Sequence, residues 1–319
     1  MEGTRDGGDE GRSGVSEARH FLVVSHTGRR DSLEATSEVC RQLSAAGAIP
    51  VIADEQWDDL HEFDPHMNGN ARRLEAEVSI AEIELVIVLG GDGTILRAAE
   101  MVRGHTAPLL GVNLGHVGFL AESERDDLGY TVTRALARDY EVEERMALAV
   151  RVKQGMDVVW ESWALNEVTV EKAERERLLE VVIEVDRRPL SSFGCDGVVV
   201  STPTGSTAYA FSAGGPVVWP AVEAMLLVPL SAHALFARPL VVGPDSSLAI
   251  EVLDRTNASG VLWCDGRRMH DLPPGARVIV RRSETPVRLA RLHEAPFTDR
   301  LVNKFRLPVA GWRGPGTRD

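Results

Sequence analysis

The stretch ELVIVLGGDGT, residues 84–94, constrains the fold most, because a continuous apolar run ends directly in a glycine-rich turn. Such a run is typical of a strand buried on both faces in a parallel sheet. Residues 95–103 continue with a helical pattern, whereas the polar, acidic stretch 55–70 predicts a loop. Strand and helix patterns also alternate at residues 21–24, 31–46, 48–54 and 108–113. The alternation predicts an α/β domain with parallel-sheet character.

The pattern changes near residue 140, where apolar and polar residues begin to alternate with a period of two between short turns. This alternation is typical of antiparallel sheet. We therefore predict a β-rich, β-sandwich-like domain at residues 146–294, after an α/β domain at 21–145. A helical pattern near the end predicts that about 295–319 returns to the α/β domain, and the glycine-rich residues 1–20 predict a disordered tail.

Charge and lysine content exclude several ways of binding phosphate. The 319-residue chain has a formal charge of −13, and an acidic surface argues against sequence-independent nucleic-acid binding. Lysine occurs only at Lys153, Lys172 and Lys304, and none of these follows a glycine-rich loop, which excludes a Walker-type site. A phosphate would therefore have to be bound by backbone N–H groups, by arginine or through a metal.

The cysteines and the apolar stretches indicate the compartment. Cys40, Cys195 and Cys264 form no CxxC pair, which argues against a zinc site or a disulfide framework and for a reducing compartment. In the most apolar part of the chain, the longest uncharged piece, 224–237, is too short to span a bilayer. Residues 1–20 lack the apolar core of a signal peptide. We therefore expect a cytoplasmic protein without a membrane partner.

The first candidate site is the loop Gly90-Gly91-Asp92-Gly93-Thr94, which follows a strand and opens a helix. Ligands of open α/β sheets bind outside the carboxyl ends of the strands, and glycines there let backbone N–H groups approach a phosphate. A carboxylate inside such a loop would oppose an anion unless it is a general base or acts through a bridging Mg²⁺. The alternative is a tight turn in which Asp92 caps the helix.

A second glycine segment, GVNLGHVGFL at residues 111–120, follows another predicted strand. Its glycine spacing is GxxxGxxG, so it lacks the second glycine of the GxGxxG dinucleotide fingerprint. A simple Rossmann dehydrogenase is therefore disfavoured. His116 within the segment, taken alone, is more typical of a loop or core histidine than of a catalyst.

Two further segments carry polar side chains that could bind a ligand. Residues 196–212 run from a buried strand into a dense series of hydroxyl groups and include Tyr209, whose ring could stack on a base. A plain Ser/Thr turn is the alternative, but it leaves Tyr209 and the following Gly214-Gly215 unexplained. The dipeptide Asn166-Glu167 is almost uninformative by itself, since adjacent side chains in a strand point to opposite faces.

Together these segments resemble the NAD kinase family, in particular its ATP- or polyphosphate-dependent, actinobacterial-like members, over essentially all of residues 21–307. GGDGT alone is moderately specific, because diacylglycerol kinases, sphingosine kinases and phosphofructokinases carry similar loops. The block STPTGSTAY, residues 201–209, is far more specific. The motifs that match in the family's order are GGDGT (90–94), GVNLGHVGFL (111–120), LNE (165–167), DGVVVSTPTGSTAYAFSAGGP (196–216) and PLSAHALFARPL (229–240).

The resemblance implies a phosphotransferase that moves the terminal phosphoryl group of ATP, or of polyphosphate, to the 2′-hydroxyl of the adenosine ribose of NAD. It implies that Asp92 is the base that takes the proton of this hydroxyl. The residues that it places at the donor phosphates are Gly90, Gly91, Gly93 and Thr94. The residues that it places at NAD are Asp92, Gly93, Arg97, Asn166, Glu167, Arg177, Asp196, Thr204, Thr207, Ala208, Tyr209, Ala210, Phe211 and Ser212.

The resemblance also implies Mg²⁺ carried by ATP, no prosthetic group, and a homodimer or homotetramer in which one subunit completes a neighbour's pocket. The sequence contains no dedicated metal-binding cluster. Many relatives have glutamine where this chain has Arg267, so the role of that position stays open. Two alternatives remain. A lipid or sugar kinase with the same loop lacks the support of a membrane-facing basic or amphipathic patch, and a non-catalytic dinucleotide-binding regulator would be expected to lose Asp92.

Overall fold

The computed structural model describes residues 18–66, 70–115, 118–235, 237–255, 258–292 and 296–309. Most of the predicted tail, residues 1–17, and His116 lie outside these ranges. The helices of the described residues are α1 (Arg30–Ala45), α2 (Asp54–Phe63), α3 (Asp92–Met101), α4 (Leu128–Ala137), α5 (Tyr209–Ser212) and α6 (Phe297–Phe305). In this part of the chain, no helix is both long enough and apolar enough to cross a membrane.

A mixed sheet, with eight strands among the described residues, forms the α/β domain. Its strands are β1 (His20–Ser25), β2 (Ile49–Ile52), β3 (Arg72–Arg73), β4 (Ile83–Leu89), β5 (Leu109–Asn113), β6 (Ser123–Glu124), β7 (Glu141–Arg145) and β20 (Val287–Arg291). Their order is β3-β2-β1-β4-β5-β20-β7, with β6 beside β5. All pairs are parallel except β20 with β7. The predicted parallel α/β character is confirmed.

Helices cover both faces of this sheet, which is why β4 is continuously apolar from Leu85 to Leu89, after Glu84 near its start. Leu85 and Ile87 lie in a buried cluster with Val39 of α1 on one face. Val86, on the other face, lies in a cluster with Ile95 of α3. Because neither face meets water, the usual alternation of apolar and polar residues is absent from this strand.

Residues 55–70 do not form the single polar loop that the composition predicted. Helix α2 occupies Asp54–Phe63, with acidic residues Asp54 and Glu55 in its first turn, where the helix dipole favours negative charge. Leu60 is fully buried and Trp57 packs partly against the same core. Two apolar residues three positions apart thus anchor a helix that is otherwise polar, and the predicted loop was wrong in this part.

The β-rich domain contains two six-stranded antiparallel sheets in the described residues. The order β15-β14-β13-β10-β17-β18 describes one sheet, and β12-β11-β16-β19-β8-β9 describes the other. The bounds are β8 (Leu148–Gln154), β9 (Asp157–Ala164), β10 (Glu167–Lys172), β11 (Leu179–Val185), β12 (Arg188–Cys195), β13 (Gly197–Ser201), β14 (Met225–Leu230), β15 (Leu240–Val242), β16 (Leu248–Val252), β17 (Gly260–Cys264), β18 (Arg268–Leu272) and β19 (Ala276–Arg282). One apolar core includes buried residues of both sheets, and the expected β-rich architecture is confirmed.

The chain returns to the α/β domain earlier than residue 295. Strand β20 pairs with β5 and β7, and its Val287 and Leu289 are buried in the α/β core. A period-two pattern shows that a segment is a strand but not which sheet it joins, so the sequence could not separate β20 from the β-rich strands. Helix α6 follows and packs its aromatic side chains near the glycine segments.

Candidate active site

A polar cavity of about 510 Å³ lies over the loop that joins β4 to α3. Gly91 precedes the first residue of α3, so the loop and the helix N-terminus face the cavity together. Free N–H groups and the helix dipole at such a place favour an anion. The residues around the cavity are His26, Arg29, Ser32, Gly90, Gly91, Gly93, Thr94, Arg97, Asn113, Leu114, Gly115 and Arg267.

Asp92 is held by the second glycine segment. Its two carboxylate oxygens accept hydrogen bonds from the backbone N–H groups of Phe119 and Leu120, each at 3.1 Å. A Cβ at Gly118 would lie 2.4 Å from Asp92 Oδ1, so only glycine allows this approach. The carboxylate therefore joins the two glycine segments instead of capping its own helix, whose cap residue is Gly91.

Arginines from both domains reach the cavity. Arg97 on α3 pairs with Glu55 of α2. Arg267, on the turn between β17 and β18, pairs with Glu100 of α3 at 3.1 Å. Three arginine side chains, with Arg29, thus line a cavity that contains no lysine. Arg267, whose role the sequence left open, thus lines this cavity.

Three further residues at the cavity, His26, Arg29 and Ser32, were not predicted from the sequence. They lie in and just after the turn that follows β1, and β1 pairs directly with β4. The carboxyl ends of these two strands therefore open onto the same cavity. The signal that could have found them is the polar segment SHTGR directly after the first predicted strand.

Asn166 and Glu167 lie at the start of β10, and both are buried. Residue 166 belongs to a bend before the strand, so the two side chains are not the opposed pair expected of adjacent strand positions. Asp265, which the sequence analysis did not single out, accepts hydrogen bonds from the N–H groups of Leu165 at 2.9 Å, Asn166 at 2.7 Å and Glu167 at 3.3 Å. One buried carboxylate thus fixes the backbone of this segment.

Two buried carboxyl groups at this point have raised pKa values. Burial, with repulsion from Asp265, raises the pKa of Glu167 to about 8. Burial also raises the pKa of Asp265, against the effect of its three backbone hydrogen bonds and of Arg268. Glu167 is therefore largely protonated at neutral pH, when it can both donate and accept hydrogen bonds.

One face of β10 presents unpaired polar atoms. Glu167 and Thr169 project on the same side of the strand, and among the described residues Glu167 Oε2 and Thr169 Oγ1 are buried without a hydrogen-bond partner. The backbone N–H of Tyr209 donates to Glu167, and the Tyr209 side chain is 40 % exposed. Buried polar atoms without partners beside an exposed ring are what a site for a polar aromatic ligand requires.

The turn between β13 and α5 packs closely against the backbone of the bend at Asn166. A Cβ at Gly205 would lie 2.0 Å from the Asn166 carbonyl oxygen, so this approach also demands glycine. Arg145 donates to Thr204 Oγ1 at 3.3 Å. Of the remaining residues of the motif, Ala210 is fully buried, Thr207 and Ala208 are partly exposed, and Phe211 and Ser212 are exposed. The motif is therefore a compact platform rather than an extended loop.

Asp196 and Arg177 lie towards the other end of the same strands. Lys172 pairs with Asp196 at 2.6 Å and, with Ser231, lowers the pKa of its carboxyl group. The charge of Asp196 also acts on the Tyr209 hydroxyl, so it belongs to the surroundings of that ring. Arg177 pairs with Glu174 at 3.1 Å on the turn after β10, away from the residues that line the glycine-loop cavity.

Family models match most of the chain. The description ATP-NAD kinase N-terminal domain matches residues 21–140, and ATP-NAD kinase C-terminal domain matches residues 165–292. The chain is 72 % identical to the NAD kinase of Leifsonia xyli subsp. xyli over 305 residues, covering 96 % of this chain and 100 % of that one. It is 57 % identical to the NAD kinase of Thermobifida fusca, covering 95 % and 94 %.

Two solved structures share the fold. The yeast NADH kinase complexed with NADH superposes with a TM-score of 0.82 at 22 % identity, covering 92 % of this chain and 89 % of that one. The NAD kinase from Archaeoglobus fulgidus in complex with ATP gives a TM-score of 0.66 at 24 % identity, covering 90 % and 98 %. At these identities the likeness concerns the fold.

Proposed function

The chain belongs to the NAD kinase family, and we propose that its reaction takes place where the glycine-loop cavity meets the platform at Tyr209. It is an ATP-dependent NAD kinase, which transfers the terminal phosphoryl group of ATP to the 2′-hydroxyl of the adenosine ribose of NAD. The alternatives of a lipid or sugar kinase and of a non-catalytic regulator are wrong, because near-full-length relatives at 72 % and 57 % identity are NAD kinases.

Asp92 is the general base in this proposal. A ribose hydroxyl is a poor nucleophile until a base takes its proton, and a carboxylate within hydrogen-bond reach does so during the transfer. The observation that carries the assignment is the pair of N–H groups from Phe119 and Leu120, which fixes the carboxylate. Each oxygen keeps a further lone pair for the hydroxyl.

The donor triphosphate occupies the cavity over the glycine loop. The N–H groups of Gly91 and Gly93 meet its oxygens, and the guanidinium groups of Arg29, Arg97 and Arg267 reduce its charge. Gly90 and Thr94, whose own N–H groups donate to the carbonyls of Val112 and Gly91, line the cavity beside the phosphates. Phosphoryl transfer depends mainly on such positioning and charge stabilisation.

The described side chains do not fit a resident metal. No group of three or more His, Cys, Asp or Glu among them could hold an ion. We propose that Mg²⁺ enters with the triphosphate and is held by its phosphates and water, where it would lower the negative charge of the donor.

NAD lies on the β-rich side of the cleft. Glu167 and Asn166 bond its adenosine, with Glu167 Oε2 and Thr169 Oγ1 as the buried atoms that still lack partners among the described residues. The Tyr209 ring stacks on a planar part of the dinucleotide. Thr204, Thr207, Ala208, Ala210, Phe211 and Ser212 shape the pocket around it, and Asp196, Arg97 and Arg177 contact the outer parts of the ligand.

The chain assembles as a homodimer or homotetramer in this proposal. Support comes from large apolar side chains that the β-rich domain leaves exposed, among them Met156, Val158, Val159 and Leu190. Light scattering of the purified protein tests it, and a monomer at all concentrations would contradict it. We also propose a cytoplasmic location, which three free, buried cysteines favour.

The activity itself is tested by offering purified protein a panel of donors and acceptors. ATP and polyphosphate are compared as donors, in the presence of Mg²⁺, against NAD and NADH as acceptors, and NADP or NADPH is quantified. We expect NADP from ATP and NAD. No NADP from any donor would contradict the proposed function.

A further inference from the structure

Helix α6 packs against both the second glycine segment, residues 111–120, and the segment around Tyr209. Its Phe305 packs against Phe119 at 5.8 Å and against Phe211 at 4.5 Å between ring centroids. Its Phe297 contacts Phe119 at 6.0 Å and the Trp219 ring at 5.1 Å. One short helix, close to the C-terminus, therefore holds both the segment that fixes Asp92 and the segment that follows Tyr209.

Arg300 is a charged residue of α6 that forms hydrogen bonds with the end of the second glycine segment and the residues just after it. Its Nη1 donates to the carbonyl oxygens of Phe119 at 2.9 Å and Ala121 at 3.0 Å. Its Nη2 donates to Glu122 at 2.8 Å. The Glu122 carboxylate is fully buried and also accepts from Arg291 at 2.7 Å, so a buried carboxylate holds the guanidinium of Arg300.

The same peptide group links Arg300 to Asp92. The carbonyl of Phe119 and the N–H of Leu120 belong to one planar unit. Its oxygen accepts from Arg300, and its N–H donates to Asp92 Oδ1 at 3.1 Å. A hydrogen bond to the oxygen polarises the amide and strengthens the donor at the other end. The plane of this peptide cannot rotate without breaking a bond at one end.

We propose that Arg300 is a positioning residue for the base: by holding the Phe119–Leu120 peptide, it keeps the N–H group of Leu120 directed at Asp92. The inference rests on the proposed role of Asp92 as the base. Arg300 touches neither substrate in this arrangement. Its loss leaves NAD and ATP sites intact and displaces the carboxylate by a fraction of an ångström, which is enough to slow a transfer that depends on geometry.

Arg300→Met tests the inference, because methionine keeps most of the apolar bulk and removes the donors. We expect kcat for NADP formation to fall at least tenfold while KM for NAD and KM for ATP stay within about threefold. Arg300→Lys, which restores one cation near the two carbonyls, should recover part of the loss. Arg288→Met is the matched control, since Arg288 is a partly exposed arginine that pairs with Glu144 on the sheet. Its kcat should match wild type.

A double-mutant cycle separates positioning from a general structural role. If Arg300 acts through Asp92, Arg300→Met changes the residual rate of Asp92→Asn by less than about twofold. A tenfold effect of Arg300→Met in the Asp92→Asn background would overturn the inference. So would an Arg300→Met variant with wild-type kcat, or one in which only KM changes. Full activity of Asp92→Asn would instead overturn the proposed base, and this inference with it. Melting temperatures of all variants, with Arg300→Lys as the milder change, identify any loss of folding.

Discussion

Asp265 Oδ1 accepts a hydrogen bond of 2.7 Å from the backbone N–H of Asn166, although the two residues lie 99 positions apart in the chain. The contact joins the turn after β17 to the bend before β10. The next residue but one, Arg267, faces the cavity of the α/β domain. A single tight turn therefore fixes the bend at Asn166 with one side chain and lines the cavity over the glycine loop with another.

Replacing Asp265 by Asn should weaken both folding and NAD binding. The amide keeps one acceptor oxygen but turns an NH₂ group towards N–H donors, so at least one buried backbone group loses its partner. We expect a loss of about 2–4 kcal/mol in the free energy of unfolding and a KM for NAD raised at least tenfold. Urea unfolding and initial rates measure the two effects. Asp271→Asn, at an exposed position of β18, should change neither; equal effects in both variants would contradict the role of Asp265.

Stability should depend on pH through Glu167. Its pKa is raised from 4.5 to about 8 in the folded chain, so the folded state binds more protons than the unfolded state between these values. The stabilisation is therefore complete below about pH 4.5 and is lost as pH rises through about 8. We expect Glu167→Gln, which cannot ionise, to flatten this part of the profile and to exceed wild type in stability above pH 8.

Urea unfolding at intervals from pH 5 to pH 9 measures that profile. Asp265, whose pKa is also raised, contributes a pH dependence of the same sign in both proteins. Glu171→Gln, four positions along the same strand, is the control and should keep the wild-type profile. An unchanged slope in Glu167→Gln would show that Glu167 does not hold a proton in the folded chain.

A methyl group at Gly205 should disrupt the NAD platform. The added carbon would lie 2.0 Å from the Asn166 carbonyl, and backbone cannot yield as a flexible side chain can. We expect Gly205→Ala to cost about 1–3 kcal/mol of stability and to raise KM for NAD more than tenfold, with a smaller effect on KM for ATP. At Gly243 an added carbon meets nothing within 4 Å, so Gly243→Ala should behave as wild type. Wild-type kinetics in Gly205→Ala would contradict the close packing.

Arg267 should act on the donor. Arg267→Gln removes a cation from the cavity over the glycine loop. The loss of one charge-assisted contact to phosphate raises KM for ATP by roughly tenfold. KM for NAD should stay within twofold, because Asp265 still holds the platform. Arg188→Gln, at an exposed position of β12, is the control. An effect on NAD alone would contradict this assignment.

Local patterns predicted the α/β and β-rich architecture, because the period of the apolar residues is a feature of short segments. The apolar run before Gly90 and the hydroxyl-rich segment around Tyr209 can both be recognised in the sequence without knowledge of the fold. The helix α2 was missed because only Trp57 and Leu60 anchor it, too few apolar residues to show a helical period in a polar stretch.

The missed residues depend on the order of strands and on distant contacts. His26 and Arg29 reach the cavity because β1 lies beside β4, which periodicity does not specify. Asp265 works by accepting backbone N–H groups about 100 positions away, and any residue can supply such a group. Arg300 likewise acts on backbone carbonyls. Partners of this kind leave no signal in side-chain pattern.

The most direct test of the account is the rate of NADP formation by Asp92→Asn. Purified wild-type and variant proteins are given ATP, Mg²⁺ and NAD, and NADP is measured under saturating substrates. The amide keeps the shape of the side chain but cannot take a proton, so we expect kcat to fall on the order of 10²-fold or more with NAD affinity retained. Asp58→Asn, at an exposed position of α2, should retain wild-type activity. Wild-type kcat in Asp92→Asn would contradict the assignment of Asp92 as the base.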